Sequence, residues 1–243
     1  MSIKLSKRMK CIVDMVTPGR VVADIGCDHG YISIYLIEEG IAKKVYAMDV
    51  AEGPLSNAKE SIAVRGLSDK IKTFISDGFD ELEEGLTDCA VIAGMGGMLM
   101  IDIISRGLHK INAGYQLVLS PQSDIPLVRT YLREHGFSII DEDMLSEDGK
   151  YYNIIKAELM DGDTHEAIDD DMQLLYDMYG EKLIEKKHPV LREYLEKQME
   201  KYQGIFCRLS KSTGDGAADR MSQIRNELGN MEKVMQILED TNG

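Results

Sequence analysis

The stretch from Val21 to Tyr31 reads Val-Val-Ala-Asp-Ile-Gly-Cys-Asp-His-Gly-Tyr, and the predicted fold depends on it. A buried strand, Val21–Ile25, ends at a tight turn bracketed by Gly26 and Gly30, and a helix is expected to follow. Glycine suits such a turn because a Cβ would restrict both the backbone angles and the approach of a ligand. The helix start offers unpaired N–H groups and a positive dipole end to an anion.

A second predicted strand supplies an acidic residue beside this turn. Lys44–Met48 ends in Asp49, about 25 residues after Asp24. A carboxylate at that position can accept hydrogen bonds from both ribose hydroxyls of a nucleotide-like ligand. The two strand ends together indicate a site for a nucleoside.

Strands and helices continue to alternate through residue 160. The remaining predicted strands are Ile71–Ser76, Cys89–Ala93, Tyr115–Leu119, Ile139–Leu145 and Tyr151–Glu158. The order predicts an α/β fold with a mostly parallel sheet, helices on both faces and an antiparallel strand near one edge. Because ligands of such sheets bind beyond the carboxyl ends of the strands, one site built from these loops is expected.

The composition changes after Met160, so residues 1–160 and 161–243 are predicted to form separate domains. Asp161–His165 reads as a polar linker. After Pro189, apolar residues recur every three or four positions on both sides of the glycine turn Ser212–Gly216. This pattern predicts an antiparallel coiled-coil hairpin. It would serve either as a structural or dimerisation arm or as a lever that reaches a large substrate.

Composition narrows the class of protein. The 243 residues are 44% hydrophobic with a net charge of −14, and no apolar run is long enough for a membrane span. The N-terminus lacks the features of a signal peptide, which predicts a cytoplasmic protein without a membrane partner. The four cysteines are far apart, which favours neither disulfides nor a metal site. The acidic balance argues against a nucleic-acid partner.

The first 20 residues depart from this acidic balance. They hold five basic residues against a single acidic one, Asp14. Apolar spacing predicts a helix from about Lys4 to Met15, and a local basic patch of this kind can steer a polyanion onto an acidic protein.

The turn itself discriminates between nucleotide ligands. A dinucleotide site requires G-x-G-x-x-G, whereas the carboxylate of Asp28 would repel a pyrophosphate. S-adenosylmethionine carries a cationic amino acid and a sulfonium instead of phosphates, and Asp24, Asp28, Asp49 and Asp77 suit that ligand. Each of these residues is also compatible with a structural role in a turn or cap. Their joint occurrence at three consecutive strand ends favours the ligand.

Four segments resemble one family. They are Asp24–Tyr31, Asp49–Leu55, Asp77-Gly78 and Ile92-Ala-Gly-Met-Gly-Gly97. Together they resemble the bacterial tRNA (adenine-22) N1-methyltransferase family, and the helical hairpin is similar to that family's C-terminal part. The resemblance implies a Rossmann-like class I methyltransferase that uses S-adenosyl-L-methionine to methylate adenine N1 in the D-loop region of certain tRNAs. The expected cofactor-binding residues are Asp24, Gly26, Cys27, Asp28, Gly30, Asp49, Val50, Asp77, Gly78, Ala93, Gly94 and Met95.

The segment after the fourth strand bears on the chemistry. Enzymes that methylate an exocyclic adenine amine usually have an Asn/Asp-Pro-Pro-aromatic pattern after this strand. This chain instead has Ala93–Gly97, which offers backbone groups and space. Adenine N1 has an in-plane lone pair, so no proton has to leave before it attacks the methyl group. The alignment of N1 with that methyl group therefore matters most. Asp28 is the first candidate to stabilise the cationic ring; the alternatives are that it binds the cofactor or only its own backbone. His29 and Gln122 are further candidates; their structural alternatives are a helix cap and an ordinary loop residue.

The resemblance also implies tRNA as the partner. Lys4, Lys7, Arg8 and Lys10 are expected to contact tRNA phosphates, and the protein is expected to be a monomer or weak dimer without a metal. Two alternatives remain. One is a small-molecule or protein methyltransferase on the same fold, and the other is a non-catalytic S-adenosylmethionine-binding interaction protein.

Overall fold

The structure is a computed structural model that describes residues 3–162, 168–210 and 217–240. The chain divides into two compact units, Met1–Ala167 and Ile168–Gly243. The predicted boundary at residue 160 lies shortly before this division.

The first unit is built on one seven-stranded sheet with the order β3-β2-β1-β4-β5-β7-β6. The strands are β1 (Arg20–Ile25), β2 (Ala42–Asp49), β3 (Ile71–Ile75), β4 (Cys89–Ala93), β5 (Gln116–Ser120), β6 (Phe137–Glu147) and β7 (Lys150–Leu159). The first five are parallel, and β7 pairs antiparallel with both β5 and β6. The predicted Rossmann-like α/β fold is confirmed, and the carboxyl ends of β1 to β5 meet at one edge.

Five α-helices cover the two faces of this sheet. They are α1 (Lys7–Met15), α2 (Tyr31–Glu38), α3 (Glu52–Val64), α4 (Gly97–Gly107) and α5 (Ile125–Glu134). On one face, the fully buried Val22 of β1 belongs to a core with Ile12 and Ile34. On the other face, Ala23 belongs to a core with Met100. This double coverage explains why β1 reads as a continuous apolar run.

Helix α1 begins three residues later than the sequence pattern predicts. The Ser6 side chain accepts a hydrogen bond from the Met9 N–H and so caps the helix at Lys7. Glu147, in β6, accepts a second one from the Lys7 N–H at 2.8 Å. The prediction that Lys4 lies on the helix is therefore wrong, because apolar spacing does not register a capping serine.

The β6–β7 hairpin is longer than predicted and is joined to α5 by a buried ion pair. Arg129 Nε donates to Glu142 Oε1 at 2.7 Å, and both side chains are at most 2% exposed. Arg129 Nη2 lies 3.3 Å from Asn153 Oδ1 on β7. A buried pair of this kind is costly to break, so it ties both hairpin strands to α5.

The described part of the second unit consists of helices and the short segments beside them. Its helices are α6 (Asp170–Tyr179), α7 (Glu181–Glu185), α8 (Pro189–Leu209) and α9 (Ala217–Glu239). Arg192, near the start of α8, donates to the Leu238 carbonyl near the end of α9 at 2.8 Å, so the two long helices run antiparallel. The predicted turn Ser212–Gly216 and residues 163–165 of the predicted linker lie outside the described residues. A coiled coil in the strict sense stays a prediction.

Among the described helices, none combines the length and the apolar character that crossing a membrane requires.

Candidate active site

A cavity of about 350 Å³ opens at the carboxyl edge of the sheet. It brings together ten of the residues that the sequence singles out, which are Arg8, Asp24, Gly26, Cys27, Asp28, His29, Asp49, Ala93, Gly94 and Gln122. They come from helix α1, from the carboxyl ends of β1, β2 and β4, and from the loops after β1, β4 and β5. Sequence reasoning missed four further lining residues, which are Met9, Ile12, Tyr31 and Ile32. The first two lie on the face of α1 that its apolar periodicity already predicts to point inward.

The turn after β1 forms one wall of this cavity. Gly26 and Gly30 have φ angles of +73° and +72°, which L side chains rarely adopt. A Cβ on Gly26 would lie 3.0 Å from the Met95 side chain, whereas one on Gly30 would lie 3.2 Å from the Ala58 Cβ. Gly26 therefore leaves space at the cavity, while Gly30 permits packing between α2 and α3 and does not line the cavity.

Asp49 organises the turn through its carboxylate. Oδ2 accepts a hydrogen bond from the Asp28 N–H at 3.2 Å, and Oδ1 accepts one from the Ala51 N–H at 2.9 Å. Each carboxylate oxygen has a second acceptor position. Asp49 can therefore hold the turn after β1 and accept ribose hydroxyls at the same time.

Asp24 is a buried residue of the cavity lining. Burial raises the pKa of its carboxyl group to about 6, although a 2.5 Å hydrogen bond from Ser33 Oγ opposes this shift. The negative charge of Asp49 raises the pKa further. An ammonium group in the cavity would favour the ionised form, so this carboxylate is suited to a cationic ligand.

Asp28 and His29 project where the turn meets α2. Their side chains are 67% and 45% exposed, and Asp28 Oδ1 lies 3.7 Å from His29 Nε2. Asp28 has a φ of +49°, a strained conformation that the bond from its N–H to Asp49 stabilises. The His29 ring lies 5.6 Å from the Tyr31 ring, centroid to centroid. The Asp28 backbone is thus bound within the turn, and its side chain is available to a ligand.

The loops after β4 and β5 also line the cavity. Gly94, at φ +82°, has no atom within 4 Å of an added Cβ among the described residues, so the cavity is open beside it. The Gln122 N–H donates to the Met95 carbonyl at 3.0 Å, which joins the two loops and leaves the exposed Gln122 side chain at the cavity. The segment after β4 therefore presents backbone groups and open space to the cavity, and no side-chain carboxamide.

Besides Gly30 and Met95, three predicted cofactor-binding residues lie outside this lining. Asp77 Oδ1 accepts a hydrogen bond from Arg106 Nη2 at 2.9 Å. Gly78 is buried, and a Cβ there would lie 2.7 Å from Ile103. Val50 is 65% exposed. The roles of all three in cofactor binding stay predictions.

The four basic residues at the N-terminus fall into two groups. Lys4, Lys7 and Lys10 are exposed; Lys7 and Lys10 border a second cavity, and Lys10 forms an ion pair with Asp14. Arg8 instead is half-buried in the wall of the first cavity, with its guanidinium 5.0 Å from the centre of the Tyr152 ring. No sequence pattern links Arg8 to Tyr152, because the contact joins α1 to β7.

The residues of the first cavity fit S-adenosylmethionine. Three carboxylates, Asp24, Asp28 and Asp49, suit an ammonium, a sulfonium and a ribose diol, and Gly26 leaves a cradle that a Cβ would fill. Among the described residues, no group of three or more His, Cys, Asp or Glu side chains is placed to hold a metal ion.

Comparisons with known proteins agree with this site. Residues 5–155 match the methyltransferase domain family. The Bacillus subtilis tRNA (adenine(22)-N(1))-methyltransferase is 31% identical over 239 residues, which are 98% of this chain and 97% of that protein. The crystal structure of the B. subtilis tRNA methyltransferase TrmK has a TM-score of 0.83 at 28% identity and covers 96% of this chain and 99% of its own.

A related structure contains the expected cofactor. A Streptococcus pneumoniae protein solved in complex with S-adenosyl-L-methionine has a TM-score of 0.81 at 27% identity, with coverage of 96% of this chain and 100% of that one. The matched regions cover nearly the whole chain and therefore extend over both units. The chain therefore belongs to the S-adenosylmethionine-dependent tRNA (adenine-22) N1-methyltransferase family.

Proposed function

We propose that this protein transfers the methyl group of S-adenosylmethionine to N1 of adenine 22 in the D-loop region of tRNA. The observation that carries the proposal is the cavity, which combines carboxylates for a cationic cofactor with an open, carboxamide-free segment at Gly94. Residues 1–160 would bind the cofactor, and residues 161–243 would form the helical hairpin domain.

Different residues of the cavity would bind different groups of the cofactor. Asp49 would accept the ribose hydroxyls while holding the Asp28 turn, and Asp24 would bind the cofactor's ammonium group. Bound S-adenosylmethionine supplies an electrophilic methyl group on its sulfonium. Asp77 and Gly78 are proposed to lie at the adenine end, where Arg106 fixes the Asp77 carboxylate.

Alignment is the main requirement of the chemistry. Adenine N1 attacks through its own lone pair, so no proton has to leave first, and in-line placement supplies most of the rate. The methylated ring becomes cationic. We propose that Asp28, whose side chain is exposed at the cavity, stabilises that charge, because a preorganised carboxylate acts most strongly where charge develops.

Two neutral groups are proposed to orient the target base. Gln122 can donate to or accept from the adenine edge, since its backbone is fixed by the Met95 carbonyl while its side chain is exposed. His29, which also lines the cavity, can hydrogen-bond the adenine edge as well. The base has to be unstacked from the tRNA to enter, at a cost of a few kcal/mol.

Exposed lysines are proposed to guide the tRNA. Lys4, Lys7 and Lys10 lie at the solvent-facing N-terminus, where they can contact phosphates. The sequence predicts the same contact for Arg8, whose half-buried position in the cavity wall favours a ligand inside the cavity instead. As a tRNA-modifying enzyme, the protein would act in the cytoplasm, as a monomer or weak dimer.

Methyl transfer to unmodified tRNA tests the proposal. Tritiated S-adenosylmethionine and a tRNA transcript with adenosine at position 22 should yield N1-methyladenosine on nucleoside analysis. A transcript with guanosine at that position, as the control, should yield none. Methylation of a protein or small-molecule fraction without RNA, or cofactor binding without any transfer, would replace the proposal by one of the alternatives.

A further inference from the structure

Exposed apolar side chains are concentrated at the edge of the sheet that carries the first cavity. In the described part of the first unit, eight large apolar side chains are exposed, and six of them lie at the end of a parallel strand or shortly after it. These six are Tyr31, Val50, Ile75, Met98, Leu99 and Leu127. Single exposed apolar residues need no explanation, whereas a group of them indicates a contact surface.

Three of these side chains lie on the first turns of two neighbouring helices, α4 and α5. They are Met98, Leu99 and Leu127, which are 55%, 49% and 51% exposed, and we refer to them as the apolar rim. The Gly97 N–H donates to the Ser123 carbonyl at 3.1 Å, and a Cβ on Gly97 would lie 2.5 Å from that oxygen. Glycine thus permits close packing of the two first turns, and the apolar rim has a rigid base.

The apolar rim follows directly on residues of the cavity lining. Gly94 lines the cavity and precedes Met98 by four residues, which span at most about 14 Å. Gln122 also lines the cavity, and it precedes Leu127 by five residues. The apolar rim therefore adjoins the space in which the proposed function places the target adenine.

The chemistry of base extrusion identifies what such a surface can contact. When an enzyme takes a base out of its stack, the neighbouring base loses a stacking partner and exposes an apolar face. Proteins that open base stacks insert apolar side chains, methionine and leucine among them, between the bases. We infer that the apolar rim packs against the nucleobase next to the target adenine and replaces the stacking that this base loses. This inference rests on the RNA substrate of the proposed function.

A second copy of this chain is the other occupant to consider, and the size of the apolar rim argues against it. A stable interface between proteins buries about 800 Å² on each partner, far more than three half-exposed side chains supply. Helix α4 also begins without a side-chain cap, so the positive end of its dipole favours the phosphates that accompany a nucleobase.

A variant that makes the apolar rim polar tests the inference. Met98→Gln, Leu99→Asn and Leu127→Asn, combined, keep the side-chain sizes similar. We expect tRNA affinity to fall roughly fivefold to 50-fold, the range for loss of stacking on one base, and S-adenosylmethionine affinity to stay within about twofold. Fluorescence anisotropy of a labelled tRNA transcript measures the first, with S-adenosylhomocysteine present so that no methyl group is transferred, and calorimetry measures the second.

Val64→Asn is the matched control for surface polarity. Val64 is 83% exposed and is the last residue of α3, at the opposite end of that helix from the cavity. The same kind of substitution at this position should leave both affinities unchanged. A thermal unfolding midpoint identifies misfolding of the triple variant, and Leu99→Asn alone then provides the same comparison with a smaller loss.

Transcripts that lack one base show which group the apolar rim contacts. Two transcripts are needed, each without the base on one side of the target adenosine. With the transcript that lacks the contacted base, wild type and the triple variant should bind within about twofold of each other. With the other transcript, the difference between the two proteins should persist.

Three results would overturn the inference. They are an unchanged tRNA affinity of the triple variant, a difference that persists with both base-deleted transcripts, and a changed oligomeric state with unchanged tRNA affinity. The last result would assign the apolar rim to a second copy. If wild type binds tRNA as described but forms no N1-methyladenosine, only the proposed function fails; if it forms this product and the variant binds normally, only this inference fails.

Discussion

Strands β2 and β3 lie side by side, and an aspartate follows or ends each of them, yet the two carboxylates have different partners. Asp49 accepts hydrogen bonds from two backbone N–H groups and lines the cavity. Asp77 instead accepts from Arg106, which also binds Asp80 and Asp102. The difference shows that the charge of a carboxylate at a strand end can already be compensated by a neighbouring cation, which lowers its availability to a ligand.

Asp24 and Asp28 resemble Asp49, and differ from Asp77, in the partners of their carboxylates. Asp24 is bonded to the Ser33 hydroxyl and Asp28 lies beside His29, so neither is paired with a permanent cation in the described structure. Their charges remain available for a cationic ligand. For the buried Asp24, keeping this charge without a ligand should lower the stability of the fold, and that cost provides the largest test of the comparison.

Asp24→Asn should have the largest effect. Burial raises the pKa of Asp24 from 3.8 to about 6, so the folded protein binds this proton more tightly than the unfolded chain does. Its ionisation therefore lowers stability as the pH rises from about 4 to 6, and the full cost persists above pH 6. A shift of about two units corresponds to about 3 kcal/mol. The ligand-free Asp24→Asn protein should be more stable than wild type by up to that amount at pH 7.5.

Chemical denaturation at pH 7.5 and pH 4.5 measures this effect. The gain at pH 7.5 should largely disappear at pH 4.5, where wild-type Asp24 is itself mostly protonated. Asp77→Asn is the matched control: its side chain is 58% exposed and paired, so it should not reproduce the gain. Equal stabilisation of Asp24→Asn at both pH values would show that packing, not ionisation, is responsible.

Asp49→Ala should weaken cofactor binding by about 100-fold. The change removes the acceptor for the ribose and also the partner of the Asp28 N–H, which is held in a strained conformation. Loss of hydrogen bonds to a charged group costs about 1.5–3 kcal/mol. Calorimetric titration with S-adenosylmethionine measures the change.

Asp49→Asn serves as the control for the double role of this residue. Its amide oxygen can still accept one of the two backbone bonds, so a smaller loss is expected. If Asp49→Ala bound the cofactor as tightly as wild type, the assignment of Asp49 to the ribose would be wrong.

The sequence predicted the alternation of strands and helices because periodicity and glycine turns are local signals. It also predicted which loops meet, since the carboxyl ends of parallel strands share an edge. The partner of Asp77 was not predictable, because Arg106 lies 29 residues away on a helix whose rotation the pattern does not determine. The contact of Arg8 with Tyr152 was missed for the same reason: it depends on tertiary packing between α1 and β7.

Asp77→Ala should weaken cofactor binding by less than about tenfold, well below the effect of Asp49→Ala. Arg106 already compensates the Asp77 charge, and Arg106 keeps two other carboxylate partners when Asp77 is removed. An exposed ion pair contributes about 1 kcal/mol or less. The same titration measures this variant. A loss as large as that of Asp49→Ala would show that cofactor binding depends on Asp77 as strongly as on Asp49 despite the ion pair, and the contrast between the two loops would fail.

The smallest effect is expected where the contrast recurs on α1. Lys10 forms an ion pair with Asp14, whereas the exposed Lys7 is bonded to β6 through its backbone rather than its side chain. A lysine already paired with a carboxylate releases fewer counterions from RNA, so Lys10→Gln should raise the KM for tRNA by about twofold or less, and Lys7→Gln should raise it more. Measuring KM at several salt concentrations separates the two, because only the residue that contacts a phosphate should reduce the salt dependence. If Lys10→Gln had the larger effect, pairing with a carboxylate would not predict which side chains are available, on α1 or at the strand ends.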